Sequence, residues 1–316
     1  MWLRPALPLI IELFKGDKVL RITMLGTGAA FVDPDRAQSG ILVTLDNGRN
    51  YLFDCGAGIT RNMVRANVSP ADVSAVFLTH LHHDHICDFP LFVITGWMWD
   101  REDAPVVIGP KGTNHFVKNL FEGGAFKADF EARSSYPRRQ KNLAAVRPKV
   151  IEASPGVAYE DAHVRMVCDW VEHIPREISE CFGVRFEAEG KVVAFSGDTA
   201  PCASMERLAA GADLLIHECT FPESFIEHRR RTGVGTFAHT SPTELGQLAS
   251  RAGVKRLLPT HFGHFDSTHA LIKKVATHHF PVEQMGPHLM DEMVRDIRKH
   301  YSGPLQLAAD LLRVDV

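Results

Sequence analysis

The sequence predicts an α+β protein in which two β-sheets pack together with helices outside. Three observations carry that expectation. Short apolar, β-branched runs separated by turn residues dominate the first half of the chain. The second half mixes such runs with helix-forming segments. Residues with metal-binding chemistry fall at or just beyond the ends of these runs, where a rigid sheet edge can gather them.

The elements follow in order. Lys18 to Met24 alternates as a strand and enters the turn Gly26-Thr27-Gly28. That G-x-G is too isolated to argue for phosphate binding. Ser39–Leu45, the turn Asp46-Asn47-Gly48 and Tyr51–Gly56 form a hairpin, and Ile59–Val64 reads as a short helix. Asp54, at the end of the hairpin, is expected to brace the loop that follows the next strand, Val73–Leu78. Phe89–Trp99 is an apolar helix whose aromatics fit core packing, Pro105–Gly109 a buried strand, and 112–126 a helix. The charge run at Arg133, Arg138, Arg139 and Lys141 fits a solvated surface.

His163–Trp170 alternates toward His173, and a hairpin follows from Cys181–Glu187 and Lys191–Thr199 around Glu189-Gly190. Met205–Ala209 is helical, and Ala212–His217 is a strand. Arg229-Arg230-Arg231 fits an exposed helix end that could attract an anionic substrate. Ser241-Pro242-Thr243-Glu244 is a capping box with proline at the first helical position, so a helix runs from there to about Ala252. Arg256–His261 is the next strand. Helices near 268–278 and 288–300 and a closing strand, Leu305–Ala308, complete the chain.

Bulk properties narrow the function. The chain has 316 residues, 45% hydrophobic and 23% charged, as expected of a globular protein with a sizeable core. A net charge of −3 gives no global electrostatic case for nucleic acid or membrane surfaces. The six cysteines are scattered without a C-x-x-C pair, so reduced thiols are expected. The apolar opening Met1–Ile11 is interrupted by prolines, is followed by Glu12 and lacks a small-residue cleavage site, so residues 1–17 are expected to form an N-terminal arm. Residues 18–316 are then one catalytic domain. No run is long enough to span a membrane, and a cytoplasmic location is expected.

The seventeen histidines are the compositional outlier. Thr79-His80-Leu81-His82-His83-Asp84-His85 sets four imidazoles and a carboxylate directly after a strand. His173, Asp198 and His261 recur later at strand ends. Imidazole and carboxylate are the donors that suit zinc, and two metals about 3.5–4 Å apart with a shared carboxylate make a hydrolytic centre.

These motifs resemble the metallo-β-lactamase superfamily, and within it the branch of ribonuclease Z and the ribonuclease Z-like arylsulfatases. The resemblance runs through Leu25-Gly26-Thr27-Gly28, Phe53-Asp54-Cys55-Gly56, Thr79–His85, Ser196-Gly197-Asp198-Thr199, His217-Glu218-Cys219-Thr220-Phe221, His239-Thr240-Ser241 and Thr260-His261-Phe262. It implies a four-layer αββα sandwich with mixed sheets and two Zn2+ ions, with manganese or iron as alternatives. His80, His82 and His173 would hold one ion, Asp84, His85 and His261 the other, and Asp198 would bridge them. His83 is the spacer of the motif, and His264 is a weaker rival to His261. A hydroxide bridging the metals would be the nucleophile. Asp84, His239 and Glu218 are the candidate catalytic groups, His239 as general acid oriented by Glu218. A homodimer is implied as well.

One departure matters. Ribonuclease Z inserts a long tRNA-binding arm between its third-motif histidine and the bridging aspartate. Here 24 residues (174–197) separate His173 from Asp198, and a hairpin occupies them. A nucleic-acid partner is therefore not expected, and a small anionic ester is: a phosphodiester or an aryl sulfate. Lactone or β-lactam hydrolysis, RNA 3′-processing and a non-catalytic metal-binding role are the alternatives.

Overall fold

The computed structural model describes residues 18–140, 142–232, 238–277 and 281–316. The expected N-terminal arm, residues 1–17, and Lys141 lie outside the described residues. Among the described residues no helix is long and apolar enough to cross a membrane.

The first half builds one sheet. Strands β1 (Arg21–Gly26), β2 (Gly40–Thr44) and β3 (Asn50–Phe53) are antiparallel neighbours. Helix α1 (Ile59–Arg65) then crosses to β4 (Val73–Phe77), parallel to β3. The histidine loop opens the short helix α2 (His83–Ile86), and α3 (Phe89–Met98) leads to β5 (Val106–Gly109). Helices α4 (Thr113–Phe121), α5 (Lys127–Ser134) and α6 (Pro137–Gln140) precede β6 (Lys149–Glu152). The sheet order is β6-β5-β4-β3-β2-β1, and β13 (Arg313–Asp315) adds antiparallel to β1.

The second sheet runs β7 (Gly156–Glu160), β8 (Val164–Trp170), β9 (Phe182–Ala188), β10 (Lys191–Phe195), β11 (Leu214–Glu218), β12 (Leu257–Thr260). Its first four strands are antiparallel, and β10, β11 and β12 are parallel. Helices α7 (Ala203–Ala209), α8 (Glu223–Thr232), α9 (Pro242–Arg251), α10 (Ala270–Ala276) and α11 (His288–Arg298) complete this half. Both sheets are mixed and the fold is the expected αββα sandwich.

Side-chain alternation explains the layering. In β3, Tyr51 and Phe53 point between the sheets while Leu52 faces α1 and α3. In β4, Ala75 and Phe77 do the same, with Val76 outward. Because both faces are covered, these strands read as continuous apolar runs. The sheets meet where Phe53 stacks on Phe195, centroids 4.0 Å apart, and where Tyr51 packs edge-on to Phe186 at 5.7 Å. Burying each such ring contributes about 1.5–3 kcal/mol. The β9–β10 hairpin turns through Glu189 (φ 56°) and Gly190 (φ 76°), both left-handed, which matches the twist of a two-residue turn.

Several expectations are corrected. The helix expected over 112–126 stops at Phe121, because Gly123 is left-handed (φ 83°) and a side chain on Gly124 would strike the Asn119 carbonyl. The basic stretch after it is helical, and its described arginines form the expected solvated surface except Arg139, which is largely covered. Arg139 donates to the carbonyls of Trp97 and Met98, both at 2.8 Å, and Arg138 pairs with Asp100. The closing strand is Arg313–Asp315; Leu305 makes only an isolated bridge to Leu257. Arg229 is buried and lies 4.2 Å over the Phe221 ring, so the arginine run is not uniformly exposed. β6 and β7 were not expected.

Candidate metal centre

Each candidate ligand leaves the end of a strand on one edge of the sandwich. His80, His82, Asp84 and His85 follow β4, His173 follows β8, Asp198 follows β10, and His261 follows β12. The loops reach this geometry through unusual backbone. Asp54 (φ 59°) and His261 (φ 61°) are left-handed, a conformation costing about 1–3 kcal/mol that the surrounding bonds must impose. Gly197 is also left-handed (φ 58°), and a Cβ there would meet the Phe182 carbonyl at 2.9 Å and Thr79 Cβ at 3.0 Å. Only glycine lets the Asp198 loop lie this close to the histidine loop.

The seven residues form two groups that meet at Asp198. His80, His82 and His173 bring one ligand atom each within 4.8 Å of one another, and so do Asp84, His85, Asp198 and His261. Asp198 Oδ2 faces His80 Nε2 at 4.0 Å and His173 Nε2 at 3.6 Å. Its Oδ1 faces His85 Nε2 at 3.4 Å and His261 Nε2 at 3.3 Å. Asp84 Oδ2 closes the second group, 3.5 Å from His85 Nε2 and 3.3 Å from His261 Nε2. Ligands about 2.0–2.1 Å from a tetrahedral ion sit about 3.3–3.4 Å apart, so the 3.3–3.5 Å separations of the second group suit a cation at its centre, while Asp198 stands wider from the first, at 3.6 and 4.0 Å.

Two further observations test the fit. His80 Nε2, His85 Nε2 and Asp198 Oδ1 are buried with no hydrogen-bond partner. Such orphaned atoms are costly in an apolar interior and ordinary around an ion. In addition, the ion-pair partners of buried Asp84 and Asp198 among the described residues are histidines throughout. Burial, together with the neighbouring His85, holds His80 well below its ordinary 6.5, leaving the neutral form that can ligate. Burial opposes charge on Asp198 too, but His261 and His85 outweigh it and keep the carboxyl well below the usual range. The donors present fit divalent metal ions.

Bonds on the far side of four of the five imidazoles aim them inward. His85 Nδ1 donates to Asp54 Oδ2 at 2.7 Å, and His173 Nδ1 to the Ala238 carbonyl at 3.0 Å. His80 Nδ1 lies 3.1 Å from Thr79 Oγ1, and His261 Nδ1 lies 3.0 Å from Thr220 Oγ1. Asp54 also accepts the Thr79 N–H at 2.8 Å, the bracing expected of it. His83 turns away, 68% exposed, with Nε2 3.1 Å from the Ala30 carbonyl. His264 packs edge-on to Phe31 and joins neither group.

His239 stands beside the centre, its ring 5.1 Å from that of His173 and 6.1 Å from that of His261. Its Nδ1 donates to Glu218 Oε1 at 2.8 Å. Burial disfavours charge on this imidazole, but the Glu218 carboxylate outweighs it and raises the group to about 9. The roles of Thr79 and Thr220 were missed in the sequence. Their hydroxyls adjoin ligand motifs, but a threonine beside a motif carries no signal until its distant partner, Asp54 for Thr79 and His261 for Thr220, is located.

The model of the family described as "Anti-Pycsar protein Apyc1" matches residues 20–277. A curated ribonuclease Z from Mycobacterium bovis (strain BCG / Pasteur 1173P2) is 32% identical over 304 residues, covering 94% of this chain and 99% of its own. The chain belongs to the Apyc1 family, in the ribonuclease Z-like branch of the metallo-β-lactamase superfamily. Among solved structures, the metallo-β-lactamase fold protein YhfI from Bacillus subtilis superposes with a TM-score of 0.68 at 20% identity, covering 95% of this chain and 100% of its own. The short form of human tRNase Z gives 0.63 at 19% identity, covering 93% and 98%. The chain is thus a metallo-hydrolase of this fold.

Proposed function

We propose that this family member is a two-metal phosphodiesterase acting on small anionic esters, with residues 18–316 as one catalytic domain. The observation that carries it is Asp198, which turns one carboxylate oxygen toward each group of candidate ligands. In this reading His80, His82 and His173 would hold one zinc ion and Asp84, His85 and His261 a second, with Asp198 facing both groups. Divalent cations held there would supply an activated water at neutral pH and offset charge on the phosphoryl oxygens. The chain's own residues do the rest. His239, kept protonated by Glu218, gives its Nε2 proton to the departing oxygen. Asp54 keeps the His85 ring fixed, and Asp84 faces the same group. Family membership beside proteins named for RNA cleavage favours phosphorus over sulfur as the reacting centre, because the RNA backbone is a phosphodiester.

A second reading, RNA 3′-processing, is favoured by the curated name itself. The missing arm does not separate the chain from the Mycobacterium bovis relative, which is matched over 99% of its own length. Against it stands the net charge of −3, since neutralising a phosphate backbone takes clustered Lys and Arg.

The test is a panel assayed on metal-loaded protein: bis(p-nitrophenyl) phosphate, cyclic nucleotide monophosphates, p-nitrophenyl sulfate, a lactone, a β-lactam and a precursor tRNA. Highest kcat/KM on the small phosphodiesters, lost in Asp198→Asn, supports the proposal. Faster trimming of the precursor establishes the second reading, and preferred sulfate or lactone turnover overturns both.

A further inference from the structure

We infer that Thr79 and Thr220 are paired positioning residues, each setting the protonation pattern of one ligand histidine and so governing the affinity of one metal site. The inference rests on the two-metal reading above. It comes from counting protons. A threonine hydroxyl has one proton to donate and lone pairs that accept. Thr79 Oγ1 lies 2.9 Å from Asp54 Oδ2, and Thr220 Oγ1 lies 2.7 Å from Glu218 Oε2. Ionised carboxylates only accept, so each hydroxyl gives its proton to its carboxylate. It can then only accept from the neighbouring imidazole, His80 Nδ1 at 3.1 Å for Thr79 and His261 Nδ1 at 3.0 Å for Thr220. Each histidine therefore carries its proton on Nδ1 and presents a bare Nε2 inward.

The two arrangements share this pattern but serve different groups, and Thr220 Oγ1 also lies 3.3 Å from His239 Nδ1. Thr79 and Thr220 are each 2% exposed, so water cannot replace either hydroxyl. His80 belongs with His82 and His173, and His261 with Asp84, His85 and Asp198. Each carboxylate also accepts directly from a second imidazole, Asp54 from His85 and Glu218 from His239. Thr220 additionally clamps the chain after the left-handed His261, through the Gly263 N–H bond to its carbonyl at 2.9 Å. A hydroxyl relay of this kind orients a ligand that the carboxylate is already committed away from.

The experiment is a zinc titration of metal-free protein by calorimetry, with each binding step assigned by whether His82→Ala or His261→Ala removes it. Thr220→Val should weaken the step that depends on His261 by about 10–100-fold and leave the other unchanged, and Thr79→Val should do the reverse. Thr79→Ser and Thr220→Ser, which keep the hydroxyl, should restore wild-type affinity. Two ions on the wild type, with both Val variants weakening both steps equally or neither, overturns the inference alone. Serine variants as weak as valine variants do the same. A wild type that takes up no ion overturns the inference together with the reading beneath it.

Discussion

Glu218 Oε1 accepts the Nδ1 proton of His239 at 2.8 Å, with the carboxylate only 1% exposed. A buried carboxylate facing an imidazole beside the metal groups is an arrangement for holding a proton where a leaving group departs. His239→Ala should therefore lower kcat by about 10²–10⁴-fold on esters with alkyl leaving groups. The loss should be much smaller on p-nitrophenyl esters, whose leaving groups need no proton. Equal slowing of both substrate types removes His239 from the acid role.

The same pair makes stability depend on pH in the metal-free protein. Burial opposes ionisation of Glu218, but His239 outweighs it and lowers the group from its ordinary 4.5. His239 is raised from 6.5 to about 9. The carboxylate's contribution is present above 4.5 and is lost as pH falls through the lowered value. The imidazole's is full below 6.5 and is lost as pH rises through about 9. The gap in melting temperature between wild type and Glu218→Gln should thus be widest between pH 4.5 and 6.5 and narrow toward pH 9. A gap that keeps widening above pH 7 contradicts the assignment.

Asp54→Asn isolates charge from backbone strain, because asparagine tolerates the left-handed conformation at φ 59° at least as well as aspartate. The variant removes the charged acceptor of His85 and Thr79. Metal affinity should fall about 10–100-fold with little change in secondary structure. Equilibrium dialysis against zinc, with circular dichroism as the fold control, measures both.

Phe53→Ala should cost about 3–5 kcal/mol of unfolding free energy, since Phe53 is 1% exposed and stacks on Phe195 across the sheet interface. Urea denaturation reads the change, with the slope against denaturant unaltered. A loss below about 1 kcal/mol would mean the sheets close over the gap.

Much of the fold was legible because its central strands are buried on both faces, so the runs around Leu52, Val76 and Leu215 announce themselves without alternation. The capping box at Ser241 and Glu244 was legible because all its bonds are local. The strands β6 and β7 were not. They are edge strands, half-exposed along Lys149–Glu152 and Gly156–Glu160, and their pairing supplies an order their side chains do not encode. Arg229 reads as surface charge because a run of three arginines does not say which one packs; Arg229 lies over the ring of Phe221, just before its own helix.

By itself the sequence determined two packed sheets, most of their strands and the set of seven candidate ligands, because periodicity and short-range motifs are properties of neighbours along the chain. Tertiary structure alone decided which oxygen of Asp198 faces which group, that Thr79 serves Asp54, and that the hydroxyl facing His261 is that of Thr220. Asp54 lies 25 residues from Thr79, and Thr220 lies 41 from His261. Contacts across such separations are set by how the two sheets close on each other, and no local pattern records them.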